Sequence, residues 1–338
     1  MGRYVIRRLL QFIPTVLGTM LLLHILTTKA IQFSGNPVRA LFGERTPPPE
    51  VIEAVKARLG YNDPCLEDRT SFCMGMYFDR LEKTFASWPP DFGVNLRMRP
   101  VLDLVGDAVP FTLRLMVISV LFNAIVGIAA GVLAGLRGGS FADYLVKIST
   151  VLVISMPTFV IGVLAREFVG VQFGNTVRSW DWVPRVIAEG VFASGYKADY
   201  PWASLVMPGL VLGAVSLATT ARLTRTSIME NIRADYVRTA RAKGLARKRV
   251  VGVHTLRNSL IPVVTFIGVD IGAAMGGAVV TETIFNVPGI GRLVTSAART
   301  GDASTVIGVV TLLALVFLVV NLLVDLLYAV LDPRIRYE

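Results

Sequence analysis

The sequence predicts an all-α integral membrane protein with six transmembrane helices, and three observations lead there. Of 338 residues, 53% are hydrophobic, and the mean hydropathy is +0.60, more apolar than an ordinary soluble domain. Six stretches are long and uncharged enough to cross roughly 30 Å of hydrocarbon as helices. Basic residues concentrate on one side of those stretches, as the positive-inside rule requires.

The six stretches cover residues 9–28, 115–136, 148–165, 205–221, 259–281 and 306–331. An even number places both termini on one side, taken as the cytoplasm. The inside segments 1–8, 137–147, 222–258 and 332–338 then hold 17 Lys/Arg and 5 Asp/Glu in 63 residues. The outside segments hold 17 of each in 149 residues. The net charge of +10 therefore reports membrane topology rather than nucleic-acid binding. The start, MGRYVIRRLLQFIP, has the arginines of a signal peptide. Its apolar run is long and lacks a small-residue cleavage site, so it reads as a retained first helix, residues 1–28.

Residues 29–104 form an extracytoplasmic cap segment. Thr46-Pro47-Pro48-Pro49-Glu50 marks a helix start. Val51, Val55 and Leu59 recur on one helical face before Gly60. Both cysteines, Cys65 and Cys73, lie in this segment, where a disulfide is the expected state and two free thiols the alternative. Residues 105–332 form the transmembrane domain, which includes the cytoplasmic loop 222–258, and residues 333–338 are a cytoplasmic tail.

Within the spans, glycines recur every four residues at Gly127, Gly131, Gly135 and at Gly268, Gly272, Gly276, faces that let helices approach closely in lipid. Pro157 and Pro208 predict kinks. Asp270 lies mid-span, and an acid there is a functional candidate. Asp270 and Glu282 are candidate pore or partner contacts, while Asp325 lies near the cytoplasmic end. His24 and His254, the only histidines, are too far apart in the topology for a metal or relay pair. There is no nucleophile elbow, HExxH or Walker A loop, so no enzymatic site and no metal site is expected.

The stretch Asp235–Pro262, DYVRTARAKGLARKRVVGVHTLRNSLIP, is strongly basic and lies between two spans. Asp235 is expected to cap a short helix over 236–243, and Gly244 suits a left-handed C′ position. A second helix over 247–259 leads into Pro262 at the start of the fifth span. Two helices hinged at a glycine make a lever, and a basic loop resting on anionic lipid is the alternative.

RTARAKGL at 238–245 and RNSLIPVVT at 257–265 resemble the EAA-loop signature of binding-protein-dependent ABC importer permeases. The likeness is to the B-type subunit of dipeptide and oligopeptide importers. Positions of the general EAA-x-x-x-G pattern hold Arg238, Thr239, Ala240 and Gly244; the acidic first residue is absent. RYVIRRLLQFIPTVLG, GNPVRALFGE, DFGVNLRMRPV, GGAVVTETIFNVPGIGRL and NLLVDLLYAVLDPRIRY are similar to the same subfamily. The resemblance implies a type I ABC importer permease fold and half of a translocation pore. It implies a C-type permease partner, two cytoplasmic ATPase subunits that bind ATP and Mg, and an extracytoplasmic substrate-binding protein. The chain itself would hold no cofactor. Asp235, Tyr236, Val237, Arg238, Thr239, Ala240, Arg241, Ala242, Lys243, Gly244 and Leu245 would form the ATPase-coupling segment. Peptides are the expected cargo of this permease in a prokaryotic cytoplasmic membrane. A nickel or other small-solute importer, or an ion-coupled transporter using Asp270, are the alternatives.

Overall fold

The computed structural model describes residues 2–34, 48–59, 61–86 and 88–331. Helices α1 (Gly2–Ser34), α2 (Pro49–Leu59), α3 (Met74–Phe85), α4 (Val101–Phe122), α5 (Ile128–Leu136), α6 (Phe141–Ser155), α7 (Thr158–Leu164) and α8 (Gly174–Arg178) come first. Then follow α9 (Val206–Asn231), α10 (Asp235–Ala242), α11 (Arg247–Arg249), α12 (Leu256–Ser259), α13 (Ile261–Ile284), α14 (Ile290–Thr300) and α15 (Ala303–Leu331). Wider π-helical turns at Asn123–Gly127, Ala165–Phe173, Val186–Val191 and Val250–Thr255 join or extend several of these. Thr46 and Pro47, Gly60, the 333–338 tail and the side chains of Asp325 and Gly276 lie outside the described residues.

Four straight stretches are long and apolar enough to cross a membrane: Leu9–Phe33, Val101–Leu136, Ala203–Asn231 and Ala303–Val324. Two bent pairs qualify jointly, Phe141–Ser155 with Thr158–Arg178 at 103° and Arg247–Ser259 with Ile261–Ala274 at 44°. The fold is all-α and multi-span, with four to six crossings. The kink expected at Pro157 is a full break: Met156 and Pro157 are extended, and Pro157 starts α7 as its N-cap. Pro208, by contrast, produces no kink. It falls in the first turn of α9, where its missing N–H has no helical partner to lose.

One compact unit gathers Met1–Pro110 and Gly289–Leu322. Its α1 buries one stripe at every fourth position, Val16, Met20, His24, Thr28 and Gln32, while Leu10, Leu22 and Leu26 stay exposed. The upper part of the stripe packs with Tyr77, Leu315 and Leu318. The lower part is polar because it faces a polypeptide loop closed by the Cys65–Cys73 disulfide, whose Cα atoms are 5.6 Å apart. Lys29 Nζ donates to the carbonyls of Arg69 and Ser71 at 2.7 and 2.9 Å. Gln32 Nε2 donates to those of Asp68 and Ser71 at 2.9 and 3.1 Å. His24 Nε2 lies 3.1 Å from the carbonyl oxygens of Phe72 and Cys73. Carbonyls of that loop thereby find donors on α1. Asp302 caps α15 through the Thr305 N–H and also accepts the Leu96 N–H.

The second unit comprises Phe111–Pro288 and Leu323–Asp332, and α9 is its axis. Gly127, Gly131 and Gly135 lie against Thr220, Thr224 and Ile228, and Gly213 lies against Ser119. Contacting positions advance together along both helices, so α4–α5 and α9 run parallel and their C-terminal ends lie at one end of the unit. A Cβ on Gly131 would sit 2.5 Å from Thr224 Cβ and 2.6 Å from the Ala221 carbonyl oxygen. That row of glycines is therefore a packing face within the chain, where backbone approach replaces the missing hydrophobic drive in lipid.

Candidate functional site

The segment after α9 is built from local rules. Its helix α10 opens with Ala234 as N-cap, so the expectation that Asp235 caps it is corrected. Asp235 is the first helical residue and makes no capping hydrogen bond. Its carboxylate, 95% exposed, lies 3.3 Å from Arg238 Nη1 and still complements the helix dipole at that end. Ala234, extended and without a side-chain acceptor, offers its carbonyl instead, to the Val237 and Arg238 N–H groups at 3.0 and 3.1 Å.

The C-terminal end of α10 is determined by Gly244. Its φ is +75°, the left-handed region that costs an L-residue with a Cβ about 1–2 kcal/mol. The Gly244 N–H bonds the Arg241 carbonyl at 2.9 Å, and the Leu245 N–H bonds the Ala240 carbonyl at 3.3 Å. These are the two bonds of a Schellman cap, and Leu245 packs on Val237, Ala240 and Val250 as that motif's hydrophobic contact. A Cβ at Gly244 would meet no atom within 4 Å. Conformation alone, not space, selects glycine there.

Beyond the turn, α11, the π-turn Val250–Thr255 and α12 form one helical run, then α13 begins with Pro262 in its first turn. Val237 and Val250 are wholly buried, so α10 rests on this run. The run is tied to α9 as well, because Ser259 Oγ donates to the Ser227 carbonyl at 3.2 Å. Tyr236 Oη bonds Asn231 Oδ1, and Asn231 Nδ2 reaches the Ser227 carbonyl at 2.9 Å. Helix α10 is thus packed on the run that leads into α13 and linked by hydrogen bonds to α9. The outward surface shows Arg238, Thr239, Arg241, Ala242, Lys243, Arg247, Lys248 and Arg249, all exposed, a basic face with few acids.

Asp143 and Arg225 complete this end of the unit, and sequence reasoning missed them. The wholly buried Asp143 carboxylate takes Arg225 Nε on one oxygen and Arg225 Nη2 on the other at 3.1 Å. It also accepts the Gly139 N–H at 2.9 Å and pairs with Lys147 at 3.0 Å. Such a bidentate pair fixes orientation as well as charge. It fastens the start of α6 to the same end of α9 that leads into α10. The residues are 82 positions apart, and no spacing rule links them; one acid in 137–147 and one of two arginines just past the fourth span were the available signal.

Asp270 and Glu282 face their own chain. Asp270 accepts Ser216 Oγ at 2.7 Å and Asn123 Nδ2 at 3.3 Å, joining α13 to α9 and to the π-turn after α4. Glu282, wholly buried, accepts Thr112 Oγ1 at 2.6 Å. Among the described residues no group of three or more His, Cys, Asp or Glu is placed to hold a metal ion.

Residues 127–337 match the family described as binding-protein-dependent transport system inner membrane component. A dipeptide transport system permease protein of Escherichia coli K12 is 35% identical over 352 residues, covering 100% of both chains. A glutathione transport system permease protein of the same organism is 34% identical over 339 residues, again covering 100% of both. One from Alkalihalophilus pseudofirmus, named for dipeptide transport, is 32% identical over 354 residues and covers 99% of each. Among solved structures, an inward-facing MetNI methionine ABC transporter covers 68% of this chain and 97% of its own, with a TM-score of 0.52 at 19% identity; that likeness speaks to the fold. The chain, a multi-pass protein of the inner membrane, belongs to the family of binding-protein-dependent transport system inner membrane components.

Proposed function

We propose that this chain is the permease half of an ATP-driven importer of small peptides. The observation that carries the reading is end-to-end similarity, at 34–35% identity, to permeases named for dipeptide and glutathione transport. In this reading the chain crosses the membrane six times, each bent helix pair counting once, with both termini in the cytoplasm. Charge partition supports that orientation, and so does the parallel course of α4–α5 and α9, which brings the 137–147 and 222–258 segments to one end. Residues 29–104 form the extracytoplasmic cap and 105–332 the transmembrane domain.

The residues Asp235–Leu245 dock on a partner ATPase that binds ATP and Mg. Movement of α10 is passed through the Val237–Leu245–Val250 contacts to α12 and α13, and through Ser259 and Asn231 to α9. Asp143 and Arg225 carry it on to α6. A second permease completes the pore, and an extracytoplasmic binding protein delivers cargo. Asp270 and Glu282 brace the helices that line or flank the path.

The test is reconstitution of the chain with its second permease, ATPases and binding protein in vesicles. Labelled dipeptide should accumulate only with ATP. Accumulation without the ATPase subunits would overturn the reading in favour of an ion-coupled transporter, and uptake of nickel but not dipeptide would overturn the cargo.

A further inference from the structure

The unit built from the cap holds a cavity of about 410 Å³, within the size range of small-ligand sites. Met20 and Ile307 give it an apolar floor. Its polar wall carries both signs of charge: Arg80 and Lys83 from α3, and Asp63, Asp79 and Asp91 around them. Arg80 Nη1 is buried and, among the described residues, has no hydrogen-bond partner. A buried, unmatched guanidinium N–H is costly and stays so until an acceptor arrives. Burial also pushes the Arg80 pKa down. Asp63 and Asp91 each give one oxygen to a backbone N–H, of Cys65 and Gly93, and keep the other.

We propose that this cavity binds a small zwitterionic peptide, its carboxylate on Arg80 and Lys83 and its ammonium among Asp63, Asp79 and Asp91. Arginine suits the planar carboxylate, and opposite charges lining one cavity select a ligand carrying both. The proposal rests on the peptide-importer reading, and adds a site in the cap, apart from the coupling segment, where cargo is held.

Calorimetry on the purified full chain with Ala-Ala, its C-terminal amide and its N-acetyl derivative tests it. Losing one charge-assisted contact should weaken binding about tenfold. Amidation should show that loss in the unaltered chain and almost none in Arg80→Gln, while Arg80→Lys keeps part of the affinity. Equal binding of acid and amide, unchanged affinity in Arg80→Gln, or no binding overturns the site. So does binding of glycerophosphoethanolamine in place of the dipeptide, which would assign the cavity to lipid headgroups. ATP-driven dipeptide uptake without this binding removes the site and leaves the importer reading standing; binding without such uptake does the reverse.

Discussion

The loop closed by Cys65–Cys73 and the loop that turns at Gly244 are both short polar connections, yet opposite means hold them. The first has a covalent bridge, and three side chains of α1 supply donors to its carbonyls. The second has two backbone bonds, one left-handed glycine and a cluster of small apolar side chains. The disulfide loop is fixed to its own chain through its bridge and its carbonyls, while Glu67, Asp68, Arg69 and Thr70 stay exposed. The Gly244 turn is secured only at its base and leaves its basic face to solvent. That contrast suits a frame in one case and a docking lever in the other.

Four substitutions break or sharpen this contrast, in falling order of effect. Asp143→Ala removes the partner of Arg225 at the end of α9 that leads into α10. Stripping one partner from a shielded pair should cost about 3 kcal/mol, at the low end because Arg225 keeps 17% exposure. A fall in the thermal midpoint of the detergent-purified chain, with loss of uptake, is the expected result. Replacing both cysteines by serine should cost roughly 2–3 kcal/mol in the chain-entropy picture. It should leave ATPase docking intact, which co-purification reads. If docking falls as well, the two loops are not independent. Val237→Ala opens a small gap beneath α10 and should cost about 1 kcal/mol, seen as faster amide exchange in 235–245 but not in 65–73. Asp235→Asn should be nearly silent in the melting of the purified chain, because that carboxylate is exposed and caps nothing. A marked loss of uptake would mean the ATPase reads this acid directly.

How much of this was legible in the chain depends on whether the information is local. Gly244, the helices on either side of it and Pro262 could be read because capping and turn chemistry act within a few residues. The row Gly127, Gly131, Gly135 was legible as a close-packing face for the same reason, though only the structure matches it with Thr220, Thr224 and Ile228. Asp143 with Arg225, and His24 and Gln32 with the disulfide loop, join residues dozens of positions apart. The Asp235 cap failed because Ala234 adopts the extended cap conformation one residue earlier. Pro157 was correctly marked as disruptive, but whether a proline bends or breaks a span depends on its neighbours, not on its own ring. The π-turns leave no periodic signal at all.

Gly244 offers the most direct test, since its surroundings are empty and only its backbone conformation matters. Gly244→Ile should leave insertion and assembly with the ATPases intact while ATP-driven uptake falls at least about tenfold, the 1–2 kcal/mol of left-handed strain being taken out of the turn that aligns α10 with α11 and α12. Gly244→Asn, which tolerates that conformation better, should retain more uptake. Undiminished ATP-driven uptake by Gly244→Ile would contradict the lever.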